Sequence, residues 1–434
     1  MQQVNLGIIG GGTVGSGVYE ALTRNGSLLA SRIGANVKIH RIAVRDLKKP
    51  RATALPKSLL TTDWREVVFD PEIQLVAELI GGTTTARELI LAALKLGKPV
   101  VTANKALLSA HGEELFAAAK KYGTNLYYEA SVCGGIPIIK SLREGFVGNR
   151  INSLYGIVNG TCNYILTRMK LEGADFGEVL ADAQKLGYAE TPPDLDIDGH
   201  DAAHKIGILA SLAHGFWVKP KKVHVEGIRH VNALDIKYAG ELGYTIKLIG
   251  TVKKLTDSHH VQVSVYPTLV PNAHVLASVN GVFNAVFVRG DVAGDALFYG
   301  RGAGKDATAS SVLSDIADAV LDLKFETKHR LPAFVPHERA GAVAPIGEVT
   351  SQYFVRLNVV DKPGVLAKVA TIFGQSNIGI SSVIQPESHE GESVPLIFML
   401  HYATNGVAAK ALAKIAKLPT VKGKPVMLRV ENFE

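Results

Sequence analysis

The stretch Leu6–Val18, LGIIGGGTVGSGV, decides the fold. An apolar, β-branched run ends in a cluster of glycines, and the pattern then turns helical. Gly10, Gly12 and Gly15 make G-x-G-x-x-G at that junction. Glycines there permit a tight turn and close approach of a pyrophosphate, which a helix N-terminus attracts. Alone the motif is weak. After the first strand of a β-α alternation it predicts a dinucleotide site.

That alternation continues outward. VKIHRIAV, IQLVAELIG, KPVVTA and NLYYEAS read as further buried strands, and ARELILAALKLG between two of them has helical spacing. The expected fold is an α/β, Rossmann-type doubly wound parallel sheet over residues 1–130. The second strand is followed by Arg45, Lys48 and Lys49, a cluster suited to a 2′-phosphate, so NADP is expected; Asp46 keeps NAD open. Lys105 in TANK falls just past a strand end, where open parallel sheets bind their ligands.

From 131 to 304 the pattern changes to an α+β domain with a mostly antiparallel sheet. Its expected strands are INSLYGIVNG, KVHVEGI, TIKLIGTVKKL, HVQVSVYP and NAVFVRG. The helix DATASSVLSDIADAVLDL, within 305–325, is expected to return to the first domain. Residues 332–351 carry three prolines and read as a linker. Residues 352–434 read β-α-β-β-α-β, the ferredoxin-like order.

Composition narrows the class. The chain has 434 residues, 47% hydrophobic and 20% charged, which suits two or three folded domains. The +7 formal charge is spread out, with no interleaving of arginines and aromatics, so no nucleic-acid partner is expected. The two cysteines exclude a disulfide framework, no apolar run reaches membrane-spanning length, and no cleavable leader is seen; a cytoplasmic protein is expected.

The segment DLDIDGHDAAHK, Asp194–Lys205, begins like an EF-hand with alternating aspartates and Gly199. Its twelfth position is Lys205, where calcium needs a glutamate. HDAAHKIGILASLAH has helical spacing that makes Asp201 and Lys205 i,i+4 neighbours. A crowd of carboxylates, Glu190, Asp194, Asp196 and Asp198, precedes them and requires a cation: a metal, a lysine or a substrate ammonium.

Taken together, GIIGGGTVGSGV, ELIGG, TANKALLS, YEASVCGGIPII, VNGTCNYIL, GYAE with DLDIDGHDAAHKIGILASL, and YGRGAG with TASS resemble homoserine dehydrogenase in motif and order from end to end. The tail YFVRLNVVDKPGVLAKVATIFGQSNIGISSV resembles an ACT regulatory module. The resemblance implies reversible NAD(P)-dependent interconversion of L-homoserine and L-aspartate 4-semialdehyde, on the route to threonine, methionine and isoleucine. Lys205 would carry the proton at the substrate oxygen and Lys105 would support it from the cofactor side. Glu190, Asp196 and Asp201 would bind substrate. Thr13, Val14, Gly187 and Gly302 would join the glycine turn and Arg45 at the cofactor. A sodium ion would use Glu129 with the backbones of Val132, Gly134 and Ile136.

For the ACT module, Asp361, Gly364, Asn377 and Ile378 (beside Pro363 and Gly379) would shape an amino-acid effector pocket, with threonine the expected effector. The middle domain would also carry dimerisation, and a homodimer or homotetramer is expected. Two departures, Thr85 and Ala307 where the family has proline, remove no chemical group. A third, Cys133 for alanine, reads as a buried thiol, with oxidation-sensitive activity the lesser alternative. A dehydrogenase for another hydroxy-amino acid and a catalytically silent amino-acid sensor are the competing readings. Retention of Lys105, Lys205, Glu190 and both glycine loops opposes the sensor.

Overall fold

The computed structural model describes all residues except 52, 256–258, 328, 329, 331, 386–392 and 434. They form two compact units, Met1–Gly160 with Asp201–Val223 and Val282–Ala342, and Thr161–His200 with His224–Gly281 and Val343–Glu434.

The first unit contains the expected parallel sheet. Its strands are β1 (Gln2–Ile9), β2 (Ala35–Ala43), β3 (Leu60–Thr61), β4 (Leu75–Glu78), β5 (Val100–Thr102) and β6 (Leu126–Tyr127), in the order β3-β2-β1-β4-β5-β6. All neighbours are parallel, and strand order reverses between β1 and β4. β3, two residues long, escaped the sequence reading. The helix Lys305–Lys324 does return to this sheet: Ala309, Val312, Ile316, Ala319 and Val320 are fully buried in one core with Val4, Leu6 and Ile8. Its three large side chains recur every four residues, a single apolar face whose burial contributes roughly 2 kcal/mol per side chain.

The same unit holds an antiparallel set in which Phe283–Gly290 pairs with Ile151–Ile157 on one side and Gly294–Arg301 on the other. The sequence reading missed Gly294–Arg301. None of its residues is fully buried, and its run DALFYGR blends into the glycine-rich GRGAGK.

In the second unit Tyr244–Lys254 and His260–Pro271 form a long antiparallel pair, and the expected strand KVHVEGI shrinks to His224–Val225, parallel to Ser264–Val265. The C-terminal module has the expected order: strand Thr350–Val360, helix Val365–Gln375, strands Ile380–Ile384 and Ser393–Thr404, helix Asn405–Ile415 and strand Val421–Val430. Thr350–Val360 lies between Val421–Val430 and Ser393–Thr404, antiparallel to both. Tyr353, Val369, Phe373, Phe398 and Ile415 fill its core.

Candidate active site

The glycine turn has the geometry its sequence demands. Gly10 is left-handed at φ +118°, and a Cβ there would lie 2.5 Å from the Leu79 carbonyl oxygen. A Cβ at Gly15 would lie 1.8 Å from the Gly10 oxygen, whereas one at Gly12 meets no atom within 4 Å. Gly10 and Gly15 are thus fixed by packing, and Gly12 faces open space where a pyrophosphate can approach the N-terminus of helix Thr13–Ile33.

This turn borders a cavity of about 590 Å³ lined by Gly10–Thr13, Arg45, Asp46, Arg51, Leu79 and Lys305, among others. Arg45 is exposed at its edge. Asp46 commits one carboxylate oxygen to the Lys48 N–H at 2.7 Å. Arg51, missed by the sequence reading, donates to the Asp46 and Lys49 carbonyls and so braces the basic loop. Lys305, also missed, pairs with Glu20 beside the same opening. The donors present fit the phosphates of a nicotinamide dinucleotide.

Lys105 begins the helix Lys105–Lys121, and several neighbours set its direction. Glu78, buried at the end of β4, accepts from the Ile80 and Gly81 N–H groups and, at 2.6 Å, from the Thr102 hydroxyl. Burial raises the Glu78 carboxyl above its ordinary range, against these hydrogen bonds. Thr102 in turn accepts from the Asn104 N–H, while Asn104 caps the helix at Leu107 and donates to the Gly82 carbonyl. ELIGG and TANK are therefore two halves of one brace behind Lys105.

Lys205 lies on the helix His200–His214 and is 7% exposed; Asp201, one turn earlier, is 4% exposed. The Lys205 ammonium donates to the Val158 carbonyl at 2.6 Å and to Asp201 Oδ2 at 2.8 Å. Asp201 Oδ1 meets Lys105 Nζ at 2.5 Å, and the Asn159 amide donates to Oδ2 at 2.9 Å. Burial alone would raise the Asp201 carboxyl, but the Lys205 and Lys105 charges outweigh it and hold it well below the carboxylate range. The resemblance gives Asp201 a part in binding substrate. Here both its oxygens already serve protein donors, and it bridges the two lysines.

The other expected substrate carboxylates, Glu190 and Asp196, and the cofactor residue Gly187 belong to the second unit. The alternating aspartates do not form a calcium loop. Arg229 pairs with both Asp194 and Asp198, reaching Asp198 Oδ2 at 3.0 Å. The cation those carboxylates require is thus partly an arginine 31 residues further on, which no local motif announces. Asp194–Ile197 is one helical turn rather than an open loop.

Glu129 is buried, and its two oxygens accept the Ile139 and Lys140 N–H groups at 2.9 and 2.7 Å. Burial pushes its carboxyl up to about 7. No basic side chain forms an ion pair with it among the described residues. Cys133 and Gly134 both have positive φ, and the Gly134 carbonyl accepts from Ser311. Glu129 feels the Lys140 and Arg143 charges without forming an ion pair with either among the described residues, and a carboxylate so placed fits a small hard cation. Gly302 packs against the Asn284 amide, where a Cβ would lie 2.0 Å from Nδ2. Cys133 is buried with its thiol pushed up to about 11 by burial, and neither cysteine is in a disulfide. That environment disfavours the reactive thiolate.

In the C-terminal module, Asp361, Pro363 and Gly364 line a cavity of about 450 Å³ with Val359, Gln385 and Leu396. Asn377, at φ +55°, and buried Ile378 shape the following turn and do not line that cavity. No helix among the described residues is long and apolar enough to cross a membrane.

Comparisons with known proteins cover the whole chain. The family model "Homoserine dehydrogenase, NAD binding domain" matches residues 10–129, "Homoserine dehydrogenase" matches 137–317 and "ACT domain" matches 353–420. Homoserine dehydrogenase of Pseudomonas aeruginosa is 44% identical, with 100% of both chains covered, and that of Bacillus subtilis is 38% identical over 100% of this chain and 99% of its own. The homoserine dehydrogenase structure from Thiobacillus denitrificans superposes with a TM-score of 0.94 at 43% identity, covering 100% of this chain and 99% of that one. A hyperthermophilic archaeal homoserine dehydrogenase in complex with NADPH matches with a TM-score of 0.63 at 28% identity, over 74% of this chain and 98% of that chain. A dinucleotide turn, two lysines on one buried carboxylate and an ACT module meet in one sequence, and the chain belongs to the homoserine dehydrogenase family, an NAD(P)-dependent oxidoreductase.

Proposed function

We propose that Lys205 exchanges the hydroxyl proton of L-homoserine and that Asp201 positions Lys205 and Lys105 together. The observation that carries this is the buried carboxylate bridging two ammonium groups, one of them, Lys105, 34% exposed at the sheet edge where ligands bind. When bound, the nicotinamide accepts hydride from the alcohol carbon or returns it to the aldehyde. In reduction the Lys205 ammonium gives a proton to the substrate oxygen and becomes the neutral amine, and in oxidation that neutral amine takes the alcohol proton, with the Val158 carbonyl and Asp201 fixing the direction of its Nζ. Glu190 and Asp196 recognise the substrate ammonium, and Gly187 and Gly302 offer backbone to the nicotinamide end. Thr13 and Val14 sit at the opening of the helix that receives the pyrophosphate.

The preferred cofactor is NADP. Arg45 at the cavity edge and the brace of Arg51 support it, as does the partial commitment of Asp46 to its own turn. Steady-state oxidation of homoserine with NAD and with NADP tests the whole reading. Arg45→Ala is expected to raise the NADP KM by roughly 10–100-fold, the loss of one charge-assisted phosphate contact, and to leave the NAD KM within about twofold. Equal effects on both cofactors would refute the role given to Arg45. A purified protein that binds NADP without turning over homoserine would favour the silent sensor.

A sodium ion would be held by Glu129 and the backbone of Val132, Gly134 and Ile136, where its charge would offset the cost of burying the carboxylate. The ACT module takes an amino-acid effector, threonine by the logic of the pathway, in the cavity bordered by Asp361 and Gly364, with Asn377 and Ile378 shaping the adjoining turn. ACT modules pair side by side, so a homodimer or homotetramer is the expected assembly. The compartment is the cytoplasm, which suits two cysteines outside any disulfide.

A further inference from the structure

Arg429, on the last strand of the C-terminal module, is 1% exposed yet fully charged, and its ionic partner lies outside that module. Its Nη1 and Nη2 donate to the two Glu226 oxygens, each at 2.9 Å, and Nη2 also donates to Asn405 at 2.7 Å. Its guanidinium carbon lies 4.2 Å from the centre of the Tyr266 ring. Glu226 accepts from His224 or pairs with it at 2.7 Å as well. Burial opposes ionisation of Glu226, but His224 and Arg429 overcome it and hold the carboxyl at about 2, so the pair is fully ionic.

Glu226 belongs to a segment strapped onto the Asp194–Gly199 turn. The Ile228 N–H donates to the Ile197 carbonyl at 2.8 Å. A Cβ at Gly227 would lie 2.3 Å from that same oxygen, so the two backbones touch with no room for a side chain. Arg229, two residues on, holds Asp194 and Asp198. The strand paired with Arg429 extends the link to the effector side: Tyr353 lies opposite Arg429, and Val359 of the same strand lines the Asp361–Gly364 cavity. Those positions are six residues, about 20 Å, apart along one strand. Midway, Arg356 forms a second buried ion pair at 2.6 Å with Asp235, whose side chain closes the capping box with Asn232 at the start of helix Ala233–Glu241.

We propose that Arg429 is a positioning residue through which the ACT module sets the shape of the Asp194–Gly199 turn, and with it affinity for the amino-acid substrate. The route is continuous in packed atoms: strand Thr350–Val360, Arg429, Glu226, the Gly227–Arg229 backbone, then the carboxylate turn. This rests on the reading that Asp196 and its neighbours recognise the substrate ammonium.

The test uses the full-length protein and two variants, Arg429→Met and Glu226→Gln. The second keeps shape and volume, so it serves if the first fails to fold. Homoserine KM is measured at saturating NADP, NADP KM at saturating homoserine, and amide hydrogen exchange is followed in peptides spanning 194–199 and 224–231. A rise in homoserine KM of roughly fivefold is expected, with kcat and NADP KM within about twofold. Faster exchange is expected in both peptides, and the double variant should be no worse than the more affected single one. An unchanged homoserine KM with unchanged exchange at 194–199 would overturn the proposal. So would a uniform loss in kcat and both KM values, which marks general destabilisation. Exchange is read without turnover, so a protein inactive on homoserine defeats the functional reading while the exchange comparison still decides on Arg429. Wild-type activity insensitive to L-threonine removes only that effector, and the KM comparison still decides.

Discussion

Lys205→Ala is expected to lower kcat for homoserine oxidation by roughly 10²–10⁴-fold, the range spanned by a positioned general acid–base group. The reasoning starts from burial. The Lys205 ammonium is almost wholly withdrawn from solvent and makes its hydrogen bonds to a backbone carbonyl and a carboxylate, so its Nζ is held in one direction. Water cannot easily replace it, because the space an alanine leaves is bordered by Asp201 and Val158 and not by a mobile acid or base. NADP binding is expected to be spared, since the glycine turn and Arg45 are separate from this helix. Stopped-flow and steady-state assays with saturating cofactor check both halves, and near-normal turnover in a folded variant would sink the proton-transfer assignment.

Asp201→Asn carries the second large effect, and it acts on stability as well as rate. The variant keeps the size of the side chain and removes the charge that two ammonium groups share. Breaking a buried ion pair at one partner costs about 3–5 kcal/mol, because the remaining charge stays buried. Lys105 can swing towards solvent, so the lower end of that range is expected. In the wild-type protein burial would raise the Asp201 carboxyl, yet Lys205 and Lys105 hold it well below its ordinary value. A carboxyl depressed in the folded state contributes stability that is complete above its unfolded pKa of about 4 and is lost as pH falls through the folded value. The wild-type protein should therefore lose stability on acidification through this group, and the D201N protein should lack that component. Denaturant midpoints between pH 3 and 7 read the difference. Parallel pH curves for the two proteins would remove the charge from the account.

Much of this architecture is legible in the chain. The parallel sheet announces itself because β-branched runs such as Leu6–Ile9 and Val100–Thr102 are buried on both faces, and the ferredoxin-like tail because its two amphipathic helices interrupt apolar strands at regular intervals. Lys105 and Lys205 are legible for a different reason: each stands at a fixed offset from a strand end or a carboxylate. Partners distant in sequence are not legible. Arg229 answers Asp194 and Asp198 across more than thirty residues, and Arg429 answers Glu226 across about two hundred. Short-range spacing says nothing of such pairs, so the aspartate cluster reads as awaiting a cation without showing which one. Asp201 illustrates a subtler limit. Its position is evident from the i,i+4 relation to Lys205, but only geometry reveals that Lys105 competes for the same carboxylate.

The helix Lys305–Lys324 closes the core of the nucleotide sheet, and this orders events in time as well as in space. A ribosome that has released only the first 130 residues has produced all six strands of that sheet, with Val4, Leu6 and Ile8 sharing a core with Val18, Leu22 and Ile33 of the first helix. The rest of that core comes from Val312, Ile316 and Val320, which emerge after the whole antiparallel part of the first unit. The nascent N-terminal segment must therefore wait, open on one face, while nearly two hundred further residues are made. Competence to bind the dinucleotide at the Gly10–Gly15 turn is therefore expected late in the life of the chain, once the polypeptide has been built past residue 320.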